Sequence, residues 1–210
     1  ALVSPLDVIS DRYLFSAHML QHLLIVMALP ILLLLGIPGW LVSPLIRNPA
    51  VRGAARLVTH PVSAYIVFNA VFTAWHLPAI YELQFRSEPF HIATHLLFIA
   101  TGILTWMPIV SPLRELPRLT PGLQSIYLFF QSIPATGLAA FITLSPRPLY
   151  ATYANAPRLF GLTPLDDQVL AGLIMWIPGT LVYLGAITVI FFRWFGKSEE
   201  TADGEMAPVV

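Results

Sequence analysis

The 210-residue chain contains no cysteine. No disulfide can form in it, and no thiolate can serve as metal ligand or nucleophile. Charge is scarce as well: Asp, Glu, Lys and Arg are 10% of the residues, and 11 basic side chains balance 11 acidic ones. Such a chain lacks the basic field that nucleic acid binding requires. There is no Gly-rich phosphate loop, no nucleophile elbow, no internal repeat and no long amphipathic surface helix. No enzymatic motif is left to find. What remains is apolar: 57% of the residues are hydrophobic and the mean hydropathy is +0.75. That composition belongs to a polytopic membrane protein, not to a soluble domain of this length.

A bilayer-crossing helix needs about 20 mostly apolar residues. Five stretches qualify: 13–35 with Pro30 inside, 61–77, 89–107, 122–144 with Pro134 and Gly137, and 165–195 interrupted at Pro178-Gly179. Pro61 suits a first helical position behind Thr59-His60, Ser87 an N-cap, and Thr163-Pro164-Leu165-Asp166 a helix start. The expected fold is all-α, a transmembrane helix bundle forming one domain over 1–197, followed by a polar, disordered tail at 198–210. Ala1-Leu2-Val3 reads as the tail of an earlier apolar segment, as expected of a processed or truncated start.

Orientation follows from the basic residues of the short loops. Arg47, Arg52, Arg56, Arg114, Arg118, Arg193 and Lys197 share one side; Arg12, Arg86, Arg147 and Arg158 share the other. The first side, with the C-terminus, is expected to be cytoplasmic.

That orientation brings five of the six histidines to the outer ends of the spans. His18 and His22 lie near the start of the first span, His76 at the end of the second, and His91 and His95 at the start of the third. Asp166, Asp167, Gln168 and, two turns deeper, Met175 join them from the last span. His60 lies at the opposite end and is left out. Ionisable side chains are costly inside a bilayer, so such a cluster is a functional-site candidate. Each H-x-x-x-H pair puts two rings on one helix face. Imidazole suits Cu, Zn, Fe and Ni, and thioether favours Cu(I). Neither pair has the Glu of H-E-x-x-H, which argues against a zinc hydrolase. A cysteine-free His and Met site on the oxidising side of a membrane fits copper. Neutral imidazole is the ligand, so affinity is expected to fall below about pH 6.

Plainer roles exist for each residue. A single intramembrane His is often a hydrogen-bonder to a neighbouring helix. Asp166 and Asp167 are first-turn acids that complement a helix dipole. Met175 alone is ordinary packing. Trp40, Trp106 and Trp194 read as interface anchors. Other readings also stand: axial ligation of haem b by facing histidines, a metal transporter, or a purely structural membrane protein that binds no metal. A transporter would continue polar residues through the bilayer, where only Asn69, Thr73, Thr101, Thr105, Gln131 and Ser132 are found.

Four stretches, in order, carry a resemblance. They are Phe15-Ser16-Ala17-His18-Met19-Leu20-Gln21-His22-Leu23-Leu24, Trp75-His76-Leu77-Pro78-Ala79-Ile80-Tyr81, His91-Ile92-Ala93-Thr94-His95-Leu96, and Asp167-Gln168-Val169-Leu170-Ala171-Gly172-Leu173-Ile174-Met175-Trp176. Together they resemble the CtaG family of cytochrome c oxidase assembly factors. The resemblance implies a non-enzymatic protein of a prokaryotic plasma membrane that supports assembly of a haem–copper oxidase by delivering copper. It further implies one or two spans upstream, and a site made of His18, His22, His76, His91, His95, Asp167 and Met175. Cu(I), in preference to Cu(II), would be held by the five histidines, with Met175 as a soft auxiliary ligand and Asp167 orienting an imidazole. The implied partners are oxidase subunits, an extracytoplasmic copper donor and the lipid bilayer, with a homo-oligomer left open.

Overall fold

The computed structural model describes residues 5–205, with side chains through 196. The apolar start at 1–4 and the last residues of the expected tail, 206–210, lie outside the described residues, as do the tail's side chains. Among the described residues every regular element is helical. The order is α1 (Pro5–Arg12), α2 (Phe15–Leu23), a π turn (Leu24–Ala28), α3 (Leu29–Gly36), α4 (Gly39–Val42), α5 (Pro49–Val58), α6 (Pro61–Trp75), α7 (Pro78–Tyr81), α8 (Glu88–Val110), α9 (Pro121–Leu144), α10 (Ala151–Ala154) and α11 (Pro164–Glu205). The all-helical, polytopic expectation holds.

Four helices are long and apolar enough to cross a bilayer: Phe15–Gly36, Glu88–Val110, Pro121–Leu144 and Pro164–Gly196. The second expected span is different. At 15 residues α6 is about 22 Å long, short of a hydrocarbon core of about 30 Å. It makes a fifth span only together with α5, from which it is bent by 64°. His60, set aside from the site, caps α6: its Nδ1 accepts from the Val62 amide at 3.3 Å.

The first span carries its own irregularity. Pro30 has no N–H and its ring crowds the carbonyl four residues back, that of Val26. The chain widens into the π turn Leu24–Ala28 at this point. Gly102 of α8 packs onto the site: a Cβ there would stand 2.8 Å from the Val26 carbonyl oxygen and 2.8 Å from Pro30 Cγ. The absence of a side chain lets α8 close on the widened turn. Pro178, in contrast, does not interrupt the last span as expected; α11 runs through it. A proline removes one intrahelical hydrogen bond, and a helix held along its length by α9 tolerates that.

The most extensive contact is between α9 and α11, and α11 also packs on α2, which carries the first histidine pair. Gly172 sets the α9–α11 spacing. A Cβ there would lie 2.2 Å from Thr143 Oγ1, 2.9 Å from its backbone nitrogen and 3.1 Å from the Ala139 carbonyl oxygen. Two of those neighbours are backbone and cannot step aside. Gly172→Val is expected to force the two helices apart, lowering detergent-resistant folded yield several-fold; size-exclusion recovery after heating checks it. Wild-type recovery would mean that the interface is softer than its geometry.

Trp106 corrects one expectation. It is no interface anchor but a core residue, 2% exposed, stacked on Tyr183 with ring centroids 5.9 Å apart and planes at 13°. Trp40, 76% exposed, and Trp194 do face outward.

Candidate metal centre

The centre is built on the first turns of α2. Leu14 is extended, and α2 begins at Phe15. The Asp167 carboxylate of α11 meets that start: Oδ2 accepts from the Phe15 amide at 2.7 Å, and Oδ1 from the Ser16 amide at 3.1 Å and the Ser16 hydroxyl at 2.5 Å. A buried carboxylate thus caps the amides a helix leaves unpaired and complements its dipole. Asp167 was expected to orient an imidazole directly. Its carboxylate instead reaches the histidines through the helix that carries them. Asp166 is a capping-box residue: its amide donates to Thr163 Oγ1 at 3.2 Å, and its carboxylate accepts from the Thr163 hydroxyl at 2.6 Å. Gln168 ties α11 to the segment before α10, accepting from the Leu149 amide at 2.7 Å.

One turn into α2, His18 is wholly buried and His22 nearly so. Their rings lie 4.3 Å apart between centroids. The second pair, His91 and His95 on α8, repeats the arrangement at 4.4 Å. The pairs meet at His22 and His95, 5.9 Å apart. Four imidazoles from two helices therefore form one continuous ladder. Both nitrogens of His18 and of His22, and Nε2 of His91 and of His95, are buried without a hydrogen-bond partner. Leaving such a nitrogen unpaired costs about 1–3 kcal/mol.

His76 is held differently. Its Nδ1 stands 2.6 Å from the Phe72 carbonyl, and a carbonyl only accepts, so Nδ1 carries the proton. In the neutral ring the lone pair is then on Nε2, the state a metal ligand needs. The Tyr150 hydroxyl donates to the His76 carbonyl at 2.8 Å. His76 and His22 face a common crevice walled by Trp75, Tyr81 and Phe98.

Two cavities flank the ladder. An inner one of about 50 Å³ is lined by Met19, His22, Met27, His76 and Met175, among apolar neighbours. An outer one of about 700 Å³ mixes apolar walls with charged and polar side chains, among them Asp7, Asp11, Arg12, Glu88, His91 and His95. The sequence-derived set is thereby brought together, five histidines and Met175, with Asp167 behind them. Among the described residues, however, no three His, Asp or Glu side chains already surround one metal position. The rings pack in pairs, so a closed ligand shell requires side-chain rotation. The donor set suits a soft or borderline cation: buried, unpaired imidazoles beside thioethers.

Some participants were not read from the sequence. Tyr81 and Tyr153 wall the His18 ring, at centroid distances of 5.3 and 6.3 Å. The Tyr81 hydroxyl donates to that of Tyr153 at 3.1 Å, which donates to the Ser10 carbonyl at 2.7 Å. Burial holds both hydroxyls well above the usual tyrosine range, so they stay neutral. Asp11 was also missed. It lies seven residues before His18, but the chain leaves helix at Tyr13–Leu14, so helical spacing gave no signal.

An uncharacterized protein of Mycobacterium bovis is 26% identical over 91% of this chain and 32% of its own length, and one of Mycobacterium tuberculosis matches to the same extent. A third, from Mycobacterium leprae, is 23% identical over 90% of the chain and 31% of its own length. The chain thus spans about a third of the length of the curated relatives it matches. No solved structure matches. The family described as cytochrome c oxidase caa3 assembly factor matches residues 1–197, which takes in every residue of the ladder, and the chain belongs to that family.

Proposed function

We propose that this protein supports assembly of a haem–copper oxidase by carrying copper as cargo at the extracytoplasmic face of the membrane and releasing it to the oxidase. One observation carries the reading: two i, i+4 histidine pairs touch, with six of their eight ring nitrogens buried and unpaired, between an outer cavity that holds charged side chains and a thioether-lined inner one. Cu(I) accepts two or three neutral nitrogen and sulfur donors. Five histidines exceed that need, and surplus ligands are what stepwise transfer requires. Met175 is the soft auxiliary ligand. Asp167 holds α2, and with it His18 and His22, in place. The excess of basic residues at the opposite end of the bundle supports an extracytoplasmic ladder.

The lower half of the bundle favours cargo handling at one face over transport. Several of its polar groups bond within the bundle: Asn69 Nδ2 donates to Gln131 Oε1 at 3.2 Å, the Thr101 hydroxyl to the Leu97 carbonyl at 2.8 Å, and Thr105 and Tyr127 pair through their hydroxyls at 3.1 Å, while Asn69 Oδ1 and Gln131 Nε2 are buried without a partner.

The test is metal content by mass spectrometry, with an absorption spectrum of the same sample. The detergent-purified protein is loaded with Cu(I) and freed of excess, with the His18→Ala/His22→Ala double variant alongside. The wild type is expected to retain about one to two equivalents and the variant far less, with no Soret band in either. A Soret band would replace copper with haem. No retained copper in the wild type would leave an assembly role without cargo.

A further inference from the structure

We propose that Asp11 is a metal ligand. With His91 it forms an outer carboxylate–imidazole loading site for a divalent borderline cation such as Cu(II), ahead of the buried ladder. The inference deepens the copper-carrier reading and rests on it.

The helix α1 folds back against α2 and carries Asp11 to the mouth of the ladder. Asp11 Oδ2 is 3.4 Å from His91 Nδ1, and Oδ1 is 4.0 Å from His18 Nδ1. One carboxylate therefore faces the outermost ring of each histidine pair. Two cis ligands bound at about 2.0 Å to one tetragonal Cu(II) ion stand about 2.8 Å apart. The Asp11–His91 pair, at 3.4 Å, closes to such an edge with a small side-chain movement, whereas Asp11–His18, at 4.0 Å, is wider. The two groups line the outer cavity, where water fills the remaining coordination positions of an arriving ion. His95, 4% exposed, lines the same cavity with its Nε2 unpaired, one step further in.

The chemistry changes along this path. At the mouth an anionic oxygen ligand meets imidazole, a set suited to a divalent hydrated ion. Inside, neutral imidazoles and then thioethers suit the monovalent ion, so a Cu(II) ion taken at the mouth enters the ladder only after gaining one electron from an external thiol; two thiols reduce two Cu(II) ions and leave as one disulfide and two protons. Burial pushes the Asp11 carboxyl up and the neighbouring His91 draws it down. A bound cation would add to the second effect. The rival account is an ion pair between Asp11 and a protonated His91. It needs no metal and makes Asp11 a structural residue.

The experiment uses the full chain in nanodiscs with Cu(II) alone as probe, read by electron paramagnetic resonance, and with Cu(I) retention measured in parallel. Asp11→Asn is expected to weaken Cu(II) binding by about 10–100-fold while Cu(I) retention stays within about twofold. Asp11→Glu keeps the carboxylate and should recover part of the loss. Glu115 lines neither cavity and accepts from the Ser43 hydroxyl, so Glu115→Gln should leave the Cu(II) spectrum unchanged; a loss equal to that of Asp11→Asn would make the effect one of general charge and overturn the assignment. Equal Cu(II) affinity in wild type and Asp11→Asn overturns the assignment alone. Joint loss of Cu(II), Cu(I) and insertion, without recovery in Asp11→Glu, makes Asp11 structural and overturns it too. A wild type that binds neither oxidation state overturns the copper reading itself.

Discussion

Cells carrying the His18→Ala/His22→Ala variant are expected to insert the protein at wild-type level and to lack mature oxidase. The separation of the two outcomes follows from the site. His22 stands in the middle of the ladder, where it touches His95 and lines the inner cavity, and His18 is the end ring packed on it. Without them the α8 pair and His76 have no bridge, and cargo entering at His91 cannot reach Met175. The structural cost is smaller. Ring packing is lost, but so are four buried nitrogens without partners. Alanine is also the best helix former. The net destabilisation is on the order of 2 kcal/mol. Membrane-fraction immunoblotting reads the first outcome, and oxidase activity with its copper content reads the second. Normal oxidase activity in the double variant would remove the ladder from the mechanism.

Asp167→Ala should damage the site without touching a ring. The substitution strips α2 of its cap: two amides and a hydroxyl lose their acceptor in a place 2% exposed at Asp167. Charged hydrogen bonds of this kind are worth about 1.5–3 kcal/mol each, and the losses are not additive. A total on the order of 3 kcal/mol is expected, lowering the unfolding midpoint by about 5–10 °C. Copper retention should fall with it, because His18 sits one turn from the freed end. Asp167→Asn keeps one acceptor and should give an intermediate midpoint. If Asp167→Asn unfolds like wild type yet loses copper, Asp167 acts on the metal and not on the helix.

These two predictions mark what could and could not be read beforehand. Periodic apolar stretches placed α8, α9 and the first span to within a few residues, because lipid exposure demands unbroken hydropathy. The four-residue spacing of His18–His22 and of His91–His95 is a property of any α-helix, and so survives folding unchanged. Asp167 could be located but not interpreted, since a first-turn acid is equally a cap for its own helix or for a neighbour. Trp106 was misread because its place near a span end says nothing of Tyr183, 77 residues away in the chain. The α5–α6 bend and the Trp106–Tyr183 stack are both set by tertiary neighbours. Asp11 depended on a chain reversal that no local pattern announces.

The inner rings of the ladder, His22 and His95, have no carboxylate ion pair among the described residues, and the carboxylate behind them, Asp167, is engaged with the amides of α2. A Cu(I) ion seated there would bring a full positive charge into a low-dielectric medium, with the Asp11 carboxylate standing only at the outer rings, His18 and His91. Each bond to nitrogen or sulfur repays part of that electrostatic penalty, and the rest persists as long as the ion stays. Such a seat holds its occupant under tension. For a copper carrier, it would favour handing the ion to any partner that offers an anionic ligand, and the scarcity of charge around the inner rings would set the direction of transfer.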